Sequence, residues 1–127
     1  MIVRSEKKRQ IVTKTLDILD ARRVWLDAKT KVNASNITRS DVPGSFKQDF
    51  VSFEKFWKDY QMIAKNHLTS STAAFSPKNV VETKMHAKRD VEMIEINRNA
   101  LEHQAVLGMI NSFHKMMRSA LSTQQGG

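Results

Sequence analysis

The side chains with the richest potential chemistry are four histidines, His67, His86, His103 and His114, set among 21 basic and 13 acidic residues in a chain of 127. Imidazoles three or four positions apart on a helix can share a metal ion, and an imidazole beside a carboxylate can move a proton. Neither pattern occurs. No two histidines stand three or four apart, and the acids are scattered between Lys and Arg with no pair spaced for acid–base work. The sequence has no glycine-rich phosphate loop, no G-x-S-x-G elbow and no H-E-x-x-H motif. It also has no Cys, which excludes disulfides and thiolate metal ligands. His103 and His114 fall within an apolar stripe, where a hydrogen-bonded packing role is the expectation. The chain therefore reads as non-enzymatic, with no catalytic residue, no metal and no cofactor.

Charge and hydropathy suggest a protein that binds surfaces. The net charge of +8 favours acidic partners such as nucleic acid, anionic lipid or acidic protein faces. The sequence shows no C2H2, RNP or basic-zipper signature, and its basic residues are interleaved with acids as on solvated helix faces. No nucleic-acid partner is expected, although a basic helical nucleic-acid binder and a cytosolic coiled-coil adaptor or chaperone are the competing readings. No apolar run approaches the roughly 18 residues of a membrane span, so no direct membrane insertion is expected. The N-terminal "MIVRSEKKRQ" lacks the apolar centre of a Sec signal peptide. Two sequons, Asn33-Ala-Ser and Asn36-Ile-Thr, thus come without a secretory context.

The elements that would position these groups are helical. With four Gly and two Pro in one domain spanning 1–127, interruptions are few. An N-terminal helix is predicted over 8–36. Val12, Leu16, Leu19 and Leu26 form one stripe on it, and Ile11, Ile18, Trp25, Ala28 and Val32 form the neighbouring one. A shorter aromatic helix is predicted over 48–67, because Phe46, Phe50, Phe53, Trp57 and Tyr60 recur at steps of four and three. Such a stripe could stack bases, but its regularity favours burial against another helix. "LTSSTAAFSPKN" marks a loop over 68–81. A C-terminal helix is predicted over 82–122. Its stripe of Met93, Ile96, Ala100, His103, Leu107, Ile110, His114, Met117 and Leu121 alternates steps of three and four, flanked by Phe113. The expected fold is all-α: two long terminal helices paired in coiled-coil fashion, with a shorter aromatic helix and an extended loop between them. Their apolar faces exceed what one intramolecular pairing covers, which predicts an oligomer or filament subunit.

The stretch "ASNITRSDVPGS", residues 34–45, interrupts this pattern and is predicted as a junction over 37–47. Asn36 is the expected helix end, because Asn tolerates the left-handed conformation. Pro43-Gly44 suits the central pair of a type II turn. Asp41 and Ser40 are expected to bond neighbouring backbone amides, and Ile37 to pin the turn to the helix.

The same stretch resembles the N-terminal motif of bacterial flagellar rod, hook and related axial proteins. In that motif a long helix runs into small-Asn-Asn-Ile/Leu-Ala-Asn-x-Asp/Asn-Thr-Pro-Gly-Tyr. Ala34, Asn36, Ile37, Asp41, Pro43 and Gly44 match it. Ser35, Thr38, Arg39, Val42 and Ser45 depart from it. The C-terminal segment is similar to the end of the proximal-rod (FlgB) family through Glu92, Asn99, Leu101, Gln104 and Lys115 to Met117, with His103 where Tyr is usual. The sister proximal-rod family, FlgC, has a Ser-Arg-x-Tyr-x-Ala-Asn segment that this chain lacks. Lys84 to Arg89 is longer than in the family, and the aromatic middle has no counterpart.

The resemblance implies a structural subunit of the basal-body rod in the periplasm, exported by the flagellar type III apparatus without a cleaved signal. Implied partners are itself, other rod proteins, and the adaptor FliE with the MS ring. The implied junction is Ala34, Asn36, Ile37, Asp41, Pro43 and Gly44. Implied packing residues are Leu16, Leu19, Trp25, Leu26 and Val32 on the first helix. On the last helix they are Met93, Ile96, Asn99, Ala100, Leu101, Gln104, Leu107, Ile110, Phe113, Met117 and Leu121.

Overall fold

A computed structural model describes residues 2–65 and 77–126. Its elements are α1 (Ile2–Ser40), β1 (Gln48–Phe50), α2 (Phe53–Lys65), a 3-10 turn (Pro77–Asn79), β2 (Val80–Glu82) and α3 (Arg89–Gly126). The two long helices pack together and the short aromatic helix lies between them in sequence, as expected. At 39 and 38 residues they run about 58 and 57 Å. Arg22 pairs with Glu102 while Asn33, further along α1, bonds Glu92 and Glu95, earlier on α3, so the helices are antiparallel.

Several boundaries differ from the sequence expectation. α1 continues through Ile37 to Ser40, four residues beyond the predicted end at Asn36. Gln48–Phe50 is a strand, not the first turn of the aromatic helix. It pairs antiparallel with Val80–Glu82, with Asp49 opposite Val81. The predicted loop over 68–81 lies outside the described residues up to 76, and 77–81 is a 3-10 turn leading into a strand. Residues 66–67, including His67, also lie outside. α3 begins at Arg89 rather than 82, since 80–88 supplies the strand and a connector, and it runs past 122 to Gly126.

The core forms where α1 is covered from two sides. Ala21, Val24, Trp25 and Ala28 meet Val51, Phe56 and Tyr60 of the ribbon and α2, with Val106 of α3 completing the cluster. Leu26 lies seven residues before Asn33, two helical turns away, and so shares the face that meets α3. Most of the aromatic pairs meet at a tilt, while Trp57 and Tyr60 stack 5.8 Å apart with their rings 20° from parallel. Trp25 stands nearly perpendicular to Phe53 at 5.9 Å, and Phe56 is tilted against Phe50 and Tyr60. Their buried polar ends are satisfied, since Trp25 Nε1 donates to the Val51 carbonyl at 2.9 Å and Tyr60 Oη to Asp20 at 2.8 Å. The aromatic residues of α2 thus serve the core. Phe46 does not, because it sits in the lead-in to β1 and is exposed.

Candidate functional site

Three features could carry function: the junction after α1, a polar seam between the long helices, and the apolar surface left outside the core.

A helix ends with four carbonyls that have no intrahelical partner. At the end of α1 three of them accept hydrogen bonds from the turn and the fourth faces an imidazole. Ser40 Oγ donates to the Ile37 carbonyl at 2.6 Å, and Asp41 N–H to that of Thr38 at 3.4 Å. The Arg39 carbonyl accepts from Val42 N–H at 3.0 Å and from Ser45 Oγ at 2.7 Å. The Ser40 carbonyl faces His86 Nε2 at 3.2 Å. The chain then turns over Val42 to Ser45, closed by Ser45 N–H on the Val42 carbonyl, with Gly44 at φ +79°. That dihedral is the one a type II turn demands at its third position, and only glycine adopts it freely. No neighbouring atom crowds the space beside Gly44, so the requirement is purely conformational.

The roles assigned to individual junction residues change. Asn36 is not a helix end but a buried residue inside α1, because its carboxamide finds a backbone partner across the fold. Its Nδ2 donates to the Gln48 carbonyl at 2.7 Å while its Oδ1 accepts the Gln48 N–H at 2.8 Å. Asn36 therefore acts as a one-residue strand on the inner edge of β1. Asp41 bonds no neighbouring amide through its side chain; it accepts Arg89 Nη2 at 2.7 Å and ties the junction to the start of α3. Ser40 likewise donates to a carbonyl instead of receiving an amide. Ile37 is half-buried, and Ala34, Pro43 and Gly44 are exposed. Asn36→Ala is expected to cost about 1–3 kcal/mol, since the Gln48 peptide loses both partners. Urea unfolding followed by circular dichroism checks this, and a cost below 0.5 kcal/mol would mean that water replaces the carboxamide.

The polar seam lies one position away from the predicted stripe. Glu92, Asn99 and Val106 are the residues of α3 buried against α1, with Ile96, His103, Ile110 and Phe113 half-buried beside them. Asn33 Nδ2 reaches Glu92 Oε2 and Glu95 Oε2, each at 2.7 Å, and Asn99 Nδ2 donates to Asn33 Oδ1 at 3.0 Å. Lys47 brings its ammonium to 3.6 Å from Glu92 Oε1 and 3.8 Å from Asp49. Both sequon asparagines are thus buried inside α1 with their amides engaged.

The expected packing residues divide into two groups. Trp25, Leu26 and Asn99 are buried, and Leu16, Leu19, Val32, Ile96, Ile110 and Phe113 are half-buried. Met93, Ala100, Leu101, Gln104, Leu107, Met117 and Leu121 face solvent, so within one chain these positions do not pack against α1. The stripe splits because the seam follows Glu92, Asn99 and Val106, turning 93, 100, 107 and 121 outward. The side chain of Val12 lies outside the described residues. Exposed Ile11 and Ile18 of α1 and Met109, Met116, Met117 and Leu121 of α3 gather at the end of the hairpin away from the junction. The ribbon and α2 cover only the junction half of the pair.

Sequence reasoning placed Asn99 in the packing and linked Glu92 to it, but missed Asn33, Lys47, His86 and Arg89 as parts of one constellation. The usable signal was Glu92 and Asn99 seven apart beside an apolar stripe, facing an Asn on the partner helix. Lys47 and His86 left no such trace. A shallow groove of about 190 Å³ between α1 and the ribbon is lined by Ala28, Val32, Phe50 and Val80, with Lys31 its one ionisable wall. Among the described residues no three His, Asp or Glu side chains converge as metal ligands, and no helix is long and apolar enough to cross a membrane. No protein-family model matches the chain, and no curated protein matches it.

Proposed function

We propose that this protein is a structural subunit of a helical assembly of the bacterial flagellar proximal-rod type, working by packing rather than by catalysis. The observation that carries the reading is the end of the α1–α3 hairpin away from the junction, which no other described element covers. There a pair of long helices leaves Ile11, Ile18, Met109, Met116, Met117 and Leu121 in water. These side chains are 39–64% exposed, so burying the remainder contributes about 1 kcal/mol each, and several lateral neighbours would together hold a subunit firmly. The junction supports the same reading. It holds the ribbon and the start of α3 against the end of α1 through Asn36, Asp41 and the turn at Pro43-Gly44, the residues shared with the axial-protein motif. In this role the partners are further copies of the chain, other rod proteins, and the FliE adaptor at the MS ring. Localisation would be the basal body, reached through the type III export apparatus. The burial of Trp25, Phe56 and Tyr60 leaves few aromatic faces for bases and weighs against the nucleic-acid reading.

Met109→Glu, Met116→Glu and Leu121→Glu combined should leave the monomer helical and weaken self-association by about two orders of magnitude or more. Sedimentation over a concentration series reads this directly. A discrete, salt-insensitive dimer unaffected by the three changes would instead favour a coiled-coil adaptor. In the cell, deletion should abolish motility with rods missing, and motile deletants with intact rods would end the proposal.

A further inference from the structure

The connector between β2 and α3 closes over the junction at four points. Thr83 N–H donates to the Lys47 carbonyl at 3.0 Å, and Lys47 N–H to the Met85 carbonyl at 2.7 Å. Arg89 holds Asp41 at 2.7 Å. Between these contacts the ring of His86 spans the turn, with Nδ1 at 3.0 Å from the Ser45 carbonyl and Nε2 at 3.2 Å from the Ser40 carbonyl. Carbonyl oxygens only accept. A neutral imidazole donates through one nitrogen, whereas an imidazolium donates through both. We propose that His86 closes the junction as an imidazolium, which makes the grip of its ring on the Ser40–Ser45 turn a proton-dependent latch. This inference rests on the junction geometry and is independent of the assembly proposed above.

The surroundings define what the latch responds to. Ser40 is the last residue of a 39-residue helix, so its carbonyl has no partner within the helix. The charged groups on the elements around the ring are Arg39 and Asp41 at the end of α1, Lys47 before β1, and Lys84, Lys88 and Arg89 in its own segment. Asp41 is engaged by Arg89, and Lys47 is turned toward Glu92 and Asp49. Arg39, Lys84 and Lys88 act against the ring's charge, at the surface where salt screens them. When the ring gives up a proton, one nitrogen presents a lone pair to a carbonyl oxygen about 3 Å away, and that contact opens. The Arg89–Asp41 pair and the Lys47–Met85 bond do not involve the ring, so the segment stays attached while the Ser40–Ser45 side loosens.

The test is carried out on the full chain by NMR at moderate salt. Ring 15N shifts of His86 report how many nitrogens carry protons, and amide protection factors at Val42 and Ser45 report closure of the turn. Along a pH series, protection at both amides should fall roughly fivefold, the worth of one hydrogen bond, in step with loss of the second ring proton. In His86→Ala the two amides should stay at the low level across the range. His86→Gln, which keeps an amide donor of similar reach, should show the same flat profile if the alanine variant does not fold. A wild-type profile that matches either variant, or a single ring proton while both carbonyl contacts are intact, would overturn the latch.

Discussion

Lys47→Met is expected to lower the free energy of unfolding by about 3–5 kcal/mol, the cost of stripping a buried carboxylate of its counter-charge. Glu92 is 0% exposed, in the first turn of α3 where it meets α1. One of its oxygens accepts from Asn33 at 2.7 Å. The other has no hydrogen bond and depends on the Lys47 ammonium at 3.6 Å, which is itself four-fifths buried. Removing the cation leaves that oxygen with neither charge nor water. The double variant Lys47→Met with Glu92→Met should recover most of the loss, because an apolar pair of similar volume incurs no charge-desolvation penalty. A double-mutant cycle in urea isolates the coupling. Equal destabilisation of the single and double variants would show that Lys47 acts through its stem or backbone. Lys47 sits directly before β1, so this one contact ties the ribbon to the α1–α3 seam. The loss should therefore appear in the global transition rather than as local fraying.

Phe56→Ala should cost a comparable 3–5 kcal/mol, as a large buried aromatic residue truncated to leave a cavity. Its ring is 1% exposed and lies 6.2 Å from Phe50 and 6.0 Å from Tyr60, centroid to centroid. The core it occupies is small, so little else can collapse into the space. Phe46→Ala is the matched control. Phe46 opens the aromatic stripe that the sequence marks, and Phe56 lies outside it, yet Phe46 is 44% exposed in the segment before the ribbon and its truncation should stay within about 0.5 kcal/mol. Near-UV circular dichroism of Trp25 and urea midpoints measure both. A larger effect at Phe46 than at Phe56 would reverse the assignment of 46–50 to a ribbon and its approach.

The contrast between these two phenylalanines shows where sequence periodicity reaches its limit. Steps of four and three among Phe46, Phe50, Phe53, Trp57 and Tyr60 describe one helix face. Yet the helix begins only at Phe53, where Ser52 caps it with its carbonyl on Phe56 N–H at 3.1 Å. Phe50 reaches the same core from a strand, because the last residue of an inward-facing strand and the first turn of a helix can point at one place. The strand's partner, Val80–Glu82, lies some thirty residues away, beyond any local window. Asn36 illustrates the same limit. As a residue type it favours helix ends, but a backbone peptide within reach of its carboxamide outweighs that preference and keeps it inside α1.

Much was nevertheless local in origin. Low Gly and Pro content and sustained steps of three and four are enough to require two long helices, since each such residue is placed by its neighbours one turn away. Pro43-Gly44 is enough to require a turn, because φ is preset at one residue and unrestricted at the next. The excess of apolar surface over one pairing was also countable along the chain. Which residues of α3 meet α1 was not. Hydropathy ranks Met93, Leu101 and Leu107 above Glu92 and Asn99, yet the burial is reversed. A carboxylate and two carboxamides become good interior residues only when Asn33, Asn99 and Lys47 arrive together to satisfy them. That meeting is a property of three separate segments and exists only in the folded chain.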